Sequence, residues 1–349
     1  MFSEAVISKK KDQPLIIDEI EIPDPSSEQV VVAIYASGLC HSLLINLNRD
    51  PSMPELLGHE ATGIIIKLGK SVKHVKEGDE VIITSLPYEA NKNTQYAKWS
   101  TIKWRNKELK GINFTLSKHS IMHSQFVSKL DPRVDKYKTA ILGCAGIAGY
   151  GTVQNLVNIQ KDESVAIYGI GALGSLATNA AKNLGSNPII AVDISEEKLK
   201  FSTEFGSTHK INAKVSDPVE SIRDITDGAG CDYVFDMVGS ELTQNQAILS
   251  SREGVSGFSE GGTTVFVGFP IKQYEFASRH IIMGQRKIIG SRLGNTIVKK
   301  DFPKFYDELV SGKFLLNKAV TSIFNFEESS KAINLLKNGE ILGRAIVKM

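Results

Sequence analysis

Cysteine is scarce in this 349-residue chain, where Cys40, Cys144 and Cys231 are the only three. So few thiols exclude a disulfide framework and leave metal binding, catalysis or plain burial. Long apolar runs are missing too, for no stretch approaches the roughly 20 residues that cross a bilayer. The opening segment, Met1 to Asp12, sets three lysines after a brief apolar patch and has no signal-peptide core. A soluble cytoplasmic protein with no membrane partner is the expectation. Charge of one sign is not in excess either: the formal net charge is +2, which gives no electrostatic ground for nucleic acid as a partner. There is no internal repeat and no low-complexity tract. What remains is a globular composition, 42% hydrophobic, on a chain long enough for two domains sharing an interface.

The stretch with the clearest pattern runs from Val165 to Asp193. An apolar run, Val165 to Tyr168, meets Gly169, Gly171 and Gly174, then a small-residue helix to Leu184 and Gly185, then a second apolar run, Pro188 to Val192, ending in Asp193. This is the order of a dinucleotide-binding unit. Gly169 permits the tight turn, Gly171 lets backbone approach a pyrophosphate, and Gly174 lets helix pack on strand. The helix N-terminus offers free N–H groups to the phosphates. Asp193 would accept from the adenosine ribose hydroxyls and repel a 2′-phosphate, which favours NAD over NADP.

Before this unit come short strands with turn signals: Val30 to Tyr35, Gly63 to Leu68 and Glu80 to Thr84. They predict a separate, mainly β domain. Between Tyr88 and Ser120 the sequence turns polar and basic around Trp99 and Trp104. Its charges are scattered, so it reads as a solvated lobe whose tryptophans pack inward or against a sister subunit. The small-residue stretch Ile141 to Gly151 leads into a predicted helix through Asn158. After Asp193, helices over Ser195–Phe205, Val219–Thr226 and Leu242–Ser250 alternate with strands at Lys210–Ile211, Tyr233–Asp236, Val265–Gly268 and Lys287–Ser291. Such alternation predicts a parallel sheet covered by helices on both faces. A helix over Phe302–Val310, a last helix from Asn325 to Asn338 and a strand at Ala345–Lys348 complete the reading.

Cys40, the His59–Glu60 pair and Cys144 each sit in a glycine-bearing turn, G-L-C-H-S, G-H-E and G-C-A-G. Two thiolates and an imidazole suit zinc and leave a fourth position open, the mark of a catalytic site. Taken singly, a cysteine is more often a small buried apolar residue and a histidine a satisfied polar one.

These motifs, taken in order with Gly149-Tyr150-Gly151, Val265-Phe266-Val267-Gly268 and Arg344, resemble the zinc-containing medium-chain alcohol dehydrogenases over essentially the entire chain. The resemblance implies an α/β fold: a doubly wound Rossmann sheet over 146–291 and a mainly β GroES-like catalytic domain from 1–145 and 292–349. It implies one catalytic zinc held by Cys40, His59 and Cys144, with Glu60 as the neighbouring acid that approaches the metal. Ser42 would take the proton of the substrate alcohol. His41 and Arg344 correspond to contacts of the cofactor pyrophosphate, and Asp193 and Lys198 flank the adenosine ribose of NAD. It further implies a small-molecule alcohol or aldehyde substrate and a homodimer or homotetramer, with Gly261 to Arg292 as a candidate pairing edge. Leu86, Tyr88, Leu109, Phe114 and Leu293 are candidates to line the substrate pocket or to fill the core.

Two departures from the family pattern stand out. Relatives carry four closely spaced cysteines that hold a structural zinc, and Tyr88 to Ser120 contains none. Leu43 stands where relatives have an aspartate that orients the histidine ligand, and Ile45 where some have a histidine that ends the proton relay. Two other readings compete with the alcohol dehydrogenase: a zinc-free quinone or enone reductase of the same superfamily, and a non-catalytic nucleotide-binding sensor.

Overall fold

In the computed structural model, which describes residues 1–48, 54–89, 100–111, 113–270, 272–276 and 278–349, the chain divides into two units. One joins Met1–Cys144 to Ile297–Met349, and the other is Ala145–Thr296.

The first segment of the first unit holds strands β1 (Phe2–Ser8), β2 (Ile16–Glu21) and β3 (Gln29–Gly38), the short helix α1 (Ser42–Leu47), then β4 (Glu55–Leu56), β5 (Ala61–Leu68), β6 (Glu80–Ile83), β7 (Ser100–Trp104), β8 (Lys107–Gly111), β9 (His119–His123) and β10 (Val127–Lys129). The V-V-V-A-I run of β3 is buried on both faces because it divides two cores. Val30, Val32 and Ile34 pack with Ile65, Val81 and Ile83, while Val31 points the other way, to Ile7, Ile20, Trp104 and Phe114.

The polar lobe is more ordered than its composition suggests. Residues 100–111 form the antiparallel hairpin β7–β8, which extends the sheet β4-β1-β2-β7-β8 through β2. Ile102, Trp104 and Leu109 alternate inward to the core beneath, and the Trp104 indole N–H donates to Asp18 Oδ2 at 2.8 Å. The charged residues between them hid this period-two pattern. Trp99 lies outside the described residues. Leu109 and Phe114, read from sequence as pocket or core, are core.

The second unit contains β11 (Val165–Tyr168), β12 (Ile189–Asp193), β13 (His209–Asn212), β14 (Tyr233–Asp236), β15 (Thr263–Phe266) and β16 (Lys287–Gly290). All neighbours are parallel, in the order β13-β12-β11-β14-β15-β16. This is the doubly wound Rossmann order, which reverses at β11. The helices are α2 (Thr152–Asn155), α3 (Ala172–Leu184), α4 (Glu196–Ser202), α5 (Pro218–Ile225), α6 (Glu241–Ser250) and α7 (Ser278–Met283). Their ends follow local chemistry. Gly185, at φ +83°, closes α3, and the side chains of Ser195, Asp217 and Ser240 cap α4, α5 and α6. The helix expected through Asn158 is only α2, preceded by a wide turn over Ile147–Gly151. There Gly149 lies against the backbone of Leu173, whose carbonyl oxygen would be 2.4 Å from a Cβ.

Back in the first unit, α8 (Val298–Val310), α9 (Leu316–Ala319), β17 (Val320–Asn325), α10 (Ser329–Lys337) and β18 (Arg344–Lys348) follow. Helix α8 begins four residues before the expected Phe302, because Pro303 reads as a first-turn residue and here falls inside. Strand β17 was not anticipated. It pairs parallel with β18, which lies antiparallel to the end of β3 and so completes the sheet β10-β6-β5-β3-β18-β17, with β9 also on β3. None of the described helices is long and apolar enough to cross a membrane.

Candidate metal centre and nucleotide turn

Three loops of the first unit bring the cluster together. Cys40 follows β3 directly, and its loop is held from two sides: the Gly38 N–H donates to the Glu60 carbonyl and the Leu39 N–H to the Ala345 carbonyl, both at 3.0 Å. His59 and Glu60 sit between β4 and β5 after Gly58, whose φ of +93° is a left-handed turn. Cys144 ends the tight turn Lys138–Gly143. Gly143 is pressed on β6, since a Cβ would lie 2.2 Å from the Ile83 carbonyl oxygen. The Glu60 carbonyl also accepts from the Ser37 hydroxyl at 3.2 Å and the Thr115 hydroxyl at 3.4 Å.

The outcome is a compact donor set. The candidate ligand atoms of Cys40, His59 and Cys144 lie within 4.8 Å of one another, with Sγ–Sγ at 3.9 Å. Two sulfurs bound tetrahedrally at about 2.3 Å stand roughly 3.8 Å apart, so the thiols are already spaced for zinc. Both cysteines are buried and His59 half-buried.

The electrostatics point the same way. Hydrogen bonding between the two thiols holds Cys40 well below the ordinary thiol range against the cost of its burial, with Arg344 and His59 adding to the effect. The same bond and burial hold Cys144 well above that range, because two thiols this close share one proton. Burial disfavours charge on His59, yet the hydrogen bond and charge of Cys40 raise it overall.

Arg344 opens β18 and is 3% exposed, with Nη2 at 2.8 Å from Oε1 of Glu60, which is 0% exposed. Burial opposes its charge, and Cys40, Glu60 and Cys144 outweigh that. Arg344 is thus part of the cluster, a placement the sequence did not suggest. Its one signal was position, at the start of a terminal strand that runs beside β3. His41 is exposed and immediately precedes α1 without a side-chain capping bond, and Ser42, half-buried, is that helix's first residue. Leu43 is 2% exposed in a core with Leu39, Leu57, Phe326 and Ile333.

In the second unit the glycine turn has the shape a phosphate needs. Gly169, at φ +88°, turns against Val238, and Gly174 meets the Gly169 carbonyl oxygen at 2.0 Å from a built Cβ. Gly171 precedes α3 with open space around its missing Cβ. Helix α3 has neither a side-chain cap nor an acidic first turn, which leaves its N–H groups for an anion. Asp193, at the end of β12, accepts from the Ile170 N–H at 2.7 Å and the Ser195 N–H at 2.9 Å. Lys198 lies one turn into α4. A residue missed from sequence is Asp236, fully buried at the end of β14. It accepts from the N–H groups of Val238 and Gly239 and so holds the turn that rests on Gly169.

Known proteins share both halves of this architecture. The model of the alcohol dehydrogenase GroES-like domain matches residues 26–169, and that of the zinc-binding dehydrogenase domain matches 172–311. This chain belongs to the zinc-type medium-chain alcohol dehydrogenase family. Among its family relatives, alcohol dehydrogenase 1 of Pisum sativum is 29% identical over 374 residues, covering 99% of this chain and 96% of its own. Alcohol dehydrogenase-like 6 of Arabidopsis thaliana is 26% identical, over 99% and 95%. Benzyl alcohol dehydrogenase from Acinetobacter calcoaceticus superposes with a TM-score of 0.88 at 25% identity, covering 100% of this chain and 99% of that one. The family fold, a GroES-like unit joined to a Rossmann-type unit, is therefore that of this chain.

Proposed function

We propose that this family member is a zinc-dependent alcohol dehydrogenase that interconverts a small-molecule alcohol and its aldehyde or ketone with NAD. The observation that carries the reading is the buried Cys40, His59 and Cys144 set with its sulfurs 3.9 Å apart. In this reading residues 1–145 and 292–349 form the catalytic domain and 146–291 the dinucleotide-binding domain. One zinc per chain, held by those three residues, supplies Lewis acidity at the substrate oxygen. NAD supplies the hydride acceptor, and the protein supplies orientation.

The chain's own residues do the remaining work. Ser42, at the start of α1, takes the proton of the alcohol hydroxyl and passes it outward. Arg344 balances the charge of the thiolates and of Glu60, a role its burial favours over the pyrophosphate contact expected from sequence. Glu60 stays beside the metal as the acid that the Arg344 ion pair holds. His41, exposed in the Cys40 loop, is assigned to the pyrophosphate, and the uncapped N–H groups of α3 are likewise free for phosphate. Gly169, Gly171 and Gly174 shape that turn, and Asp193 and Lys198 receive the adenosine ribose. Leu43, buried in the core, offers His59 no carboxylate in the place where relatives of the family have one.

Strand β16 ends the six-stranded sheet with exposed or half-exposed side chains. Helix α7 beside it buries none of its residues and exposes Ile282 and Met283 by 72% and 68%. These support a homodimer or homotetramer paired at this edge. The three free thiols fit a reducing, cytoplasmic setting.

The test is zinc content of the purified chain together with NADH formation from a panel of alcohols. About one zinc per chain and NADH formation uphold the reading. Absence of zinc under conditions that spare the metal would bring forward the zinc-free reductase, and NAD binding without turnover the sensor. Ser42→Ala should depress turnover more than NAD affinity, and equal losses would remove the relay.

A further inference from the structure

A cavity of about 320 Å³ opens in the first unit, between the β1–β2 turn, α1 and α10. Its volume is at the lower end for sites that enclose small molecules, which begin at roughly 300 Å³. The floor is aliphatic: Leu15 from the turn, Leu44 and Leu47 from α1, and Ile333 from α10. Leu15, Leu44 and Leu47 rest on the same core that buries Leu43, so the floor is fixed by packing.

The wall is polar and uncommitted. Lys10, Asn48, Asn334 and Lys337 line it, and none of its polar side chains hydrogen-bonds or ion-pairs with a described residue. The two lysines come from different elements, the turn and the last turn of α10, with Lys9 and Lys11 flanking Lys10 in sequence. Asp12 is the one acid on the wall among the described residues. A concave aliphatic floor beneath donors that the protein itself leaves unused, with cations in excess, has the chemistry of an amphipathic anion.

We propose that this cavity is a second ligand site, which binds an aliphatic carboxylate with its head between Lys10 and Lys337 and its tail on Leu15, Leu44, Leu47 and Ile333. The site is separate from the Cys40, His59 and Cys144 cluster and does not depend on the reaction proposed above. Helix α1 forms one wall, so an occupant also touches the helix that begins at Ser42.

Calorimetric titration of the full-length, zinc-replete protein with sodium hexanoate tests this. The expected result is saturable binding of one hexanoate per chain. Affinity should fall roughly tenfold or more in the Lys10→Gln/Lys337→Gln variant, which removes two charge-assisted contacts, and in Leu47→Trp, which fills the floor. Alcohol turnover should persist in the lysine variant. Acetate, the same head without the tail, should bind at least about tenfold more weakly. Binding of hexanoate to the lysine variant as tightly as to the wild type would overturn the proposal and place the anion elsewhere, as would an absence of saturable binding. Acetate matching hexanoate would overturn it too, as an anion on surface lysines. Should Leu47→Trp misfold, the lysine variant alone decides, since both its positions are exposed.

Discussion

The β7–β8 hairpin and the Cys40 cluster belong to one unit of the fold and are held by opposite means. The hairpin has neither cysteine nor histidine among its residues 100–111. It stays in place because Ile102, Trp104 and Leu109 alternate into an apolar core, with one polar tie from the Trp104 indole to Asp18 and Arg105 at 2.8 Å from the same carboxylate. The cluster buries an arginine, a glutamate and two thiols beside a half-buried imidazole, at a point where three glycine turns converge. Ordinary sheet packing holds the described part of the lobe.

The contrast can be broken or sharpened by experiment. The largest expected effect is Cys40→Ser, which should abolish zinc retention, measured by elemental analysis, together with NADH formation. Chelation of the wild type should leave amide hydrogen exchange at Ile102 and Leu109 unchanged. Faster exchange there would mean the hairpin depends on the metal after all.

Next comes the ion pair. Arg344→Met leaves Glu60 buried without its cation and should cost about 3–5 kcal/mol in urea unfolding. The double variant Arg344→Met/Glu60→Gln should cost less than the sum of the two single changes. Simple additivity would show that the pair carries no coupling.

Smaller is Trp104→Phe, which keeps an aromatic ring but gives up part of its volume and the indole donor, for about 1–2 kcal/mol. The Trp104 hydrogen bond holds Asp18 below its ordinary value of 3.8. The stability this adds is present in full above pH 3.8, where unfolded Asp18 is ionised, and is lost as the pH falls through the lower folded value. The two proteins should therefore draw together in stability as the pH falls from about 4 through that lower value. Smallest is Cys231, whose thiol burial pushes up to about 12. It should escape alkylation in the native protein near pH 8, as read by mass spectrometry, while remaining reactive after denaturation.

Much of the second unit was legible from sequence because local signals and tertiary fold agree there. The strand over Val165–Tyr168, the glycine turn, the end of α3 at Gly185 and Asp193 at the close of β12 follow the reading nearly residue for residue. Each is fixed by a backbone or capping requirement within a few residues. The first unit is less legible because its elements are short and joined across long separations. Strand β17 is six residues with every second one exposed, a weak signal next to the helix that follows. Hairpin β7–β8 was masked by lysines that lie on the outward face of an ordinary alternation. The candidate ligands were named through the family resemblance that their turns help carry, but the Arg344–Glu60 ion pair was not, since nothing near Gly343 announces where β18 will lie.

The placement of β18 also bears on the order in which the molecule can be built. Cys40 and its loop emerge early in synthesis, yet the backbone partner of Leu39 and the cation opposite Glu60 both belong to a strand translated only after the whole of the second unit. Until that strand docks, the nascent first unit exposes an unpaired edge at the end of β3 and free thiols beside it. The chain thus passes through a stage, lasting while the second unit is translated, at which its candidate metal ligands are present but the strand behind them is not.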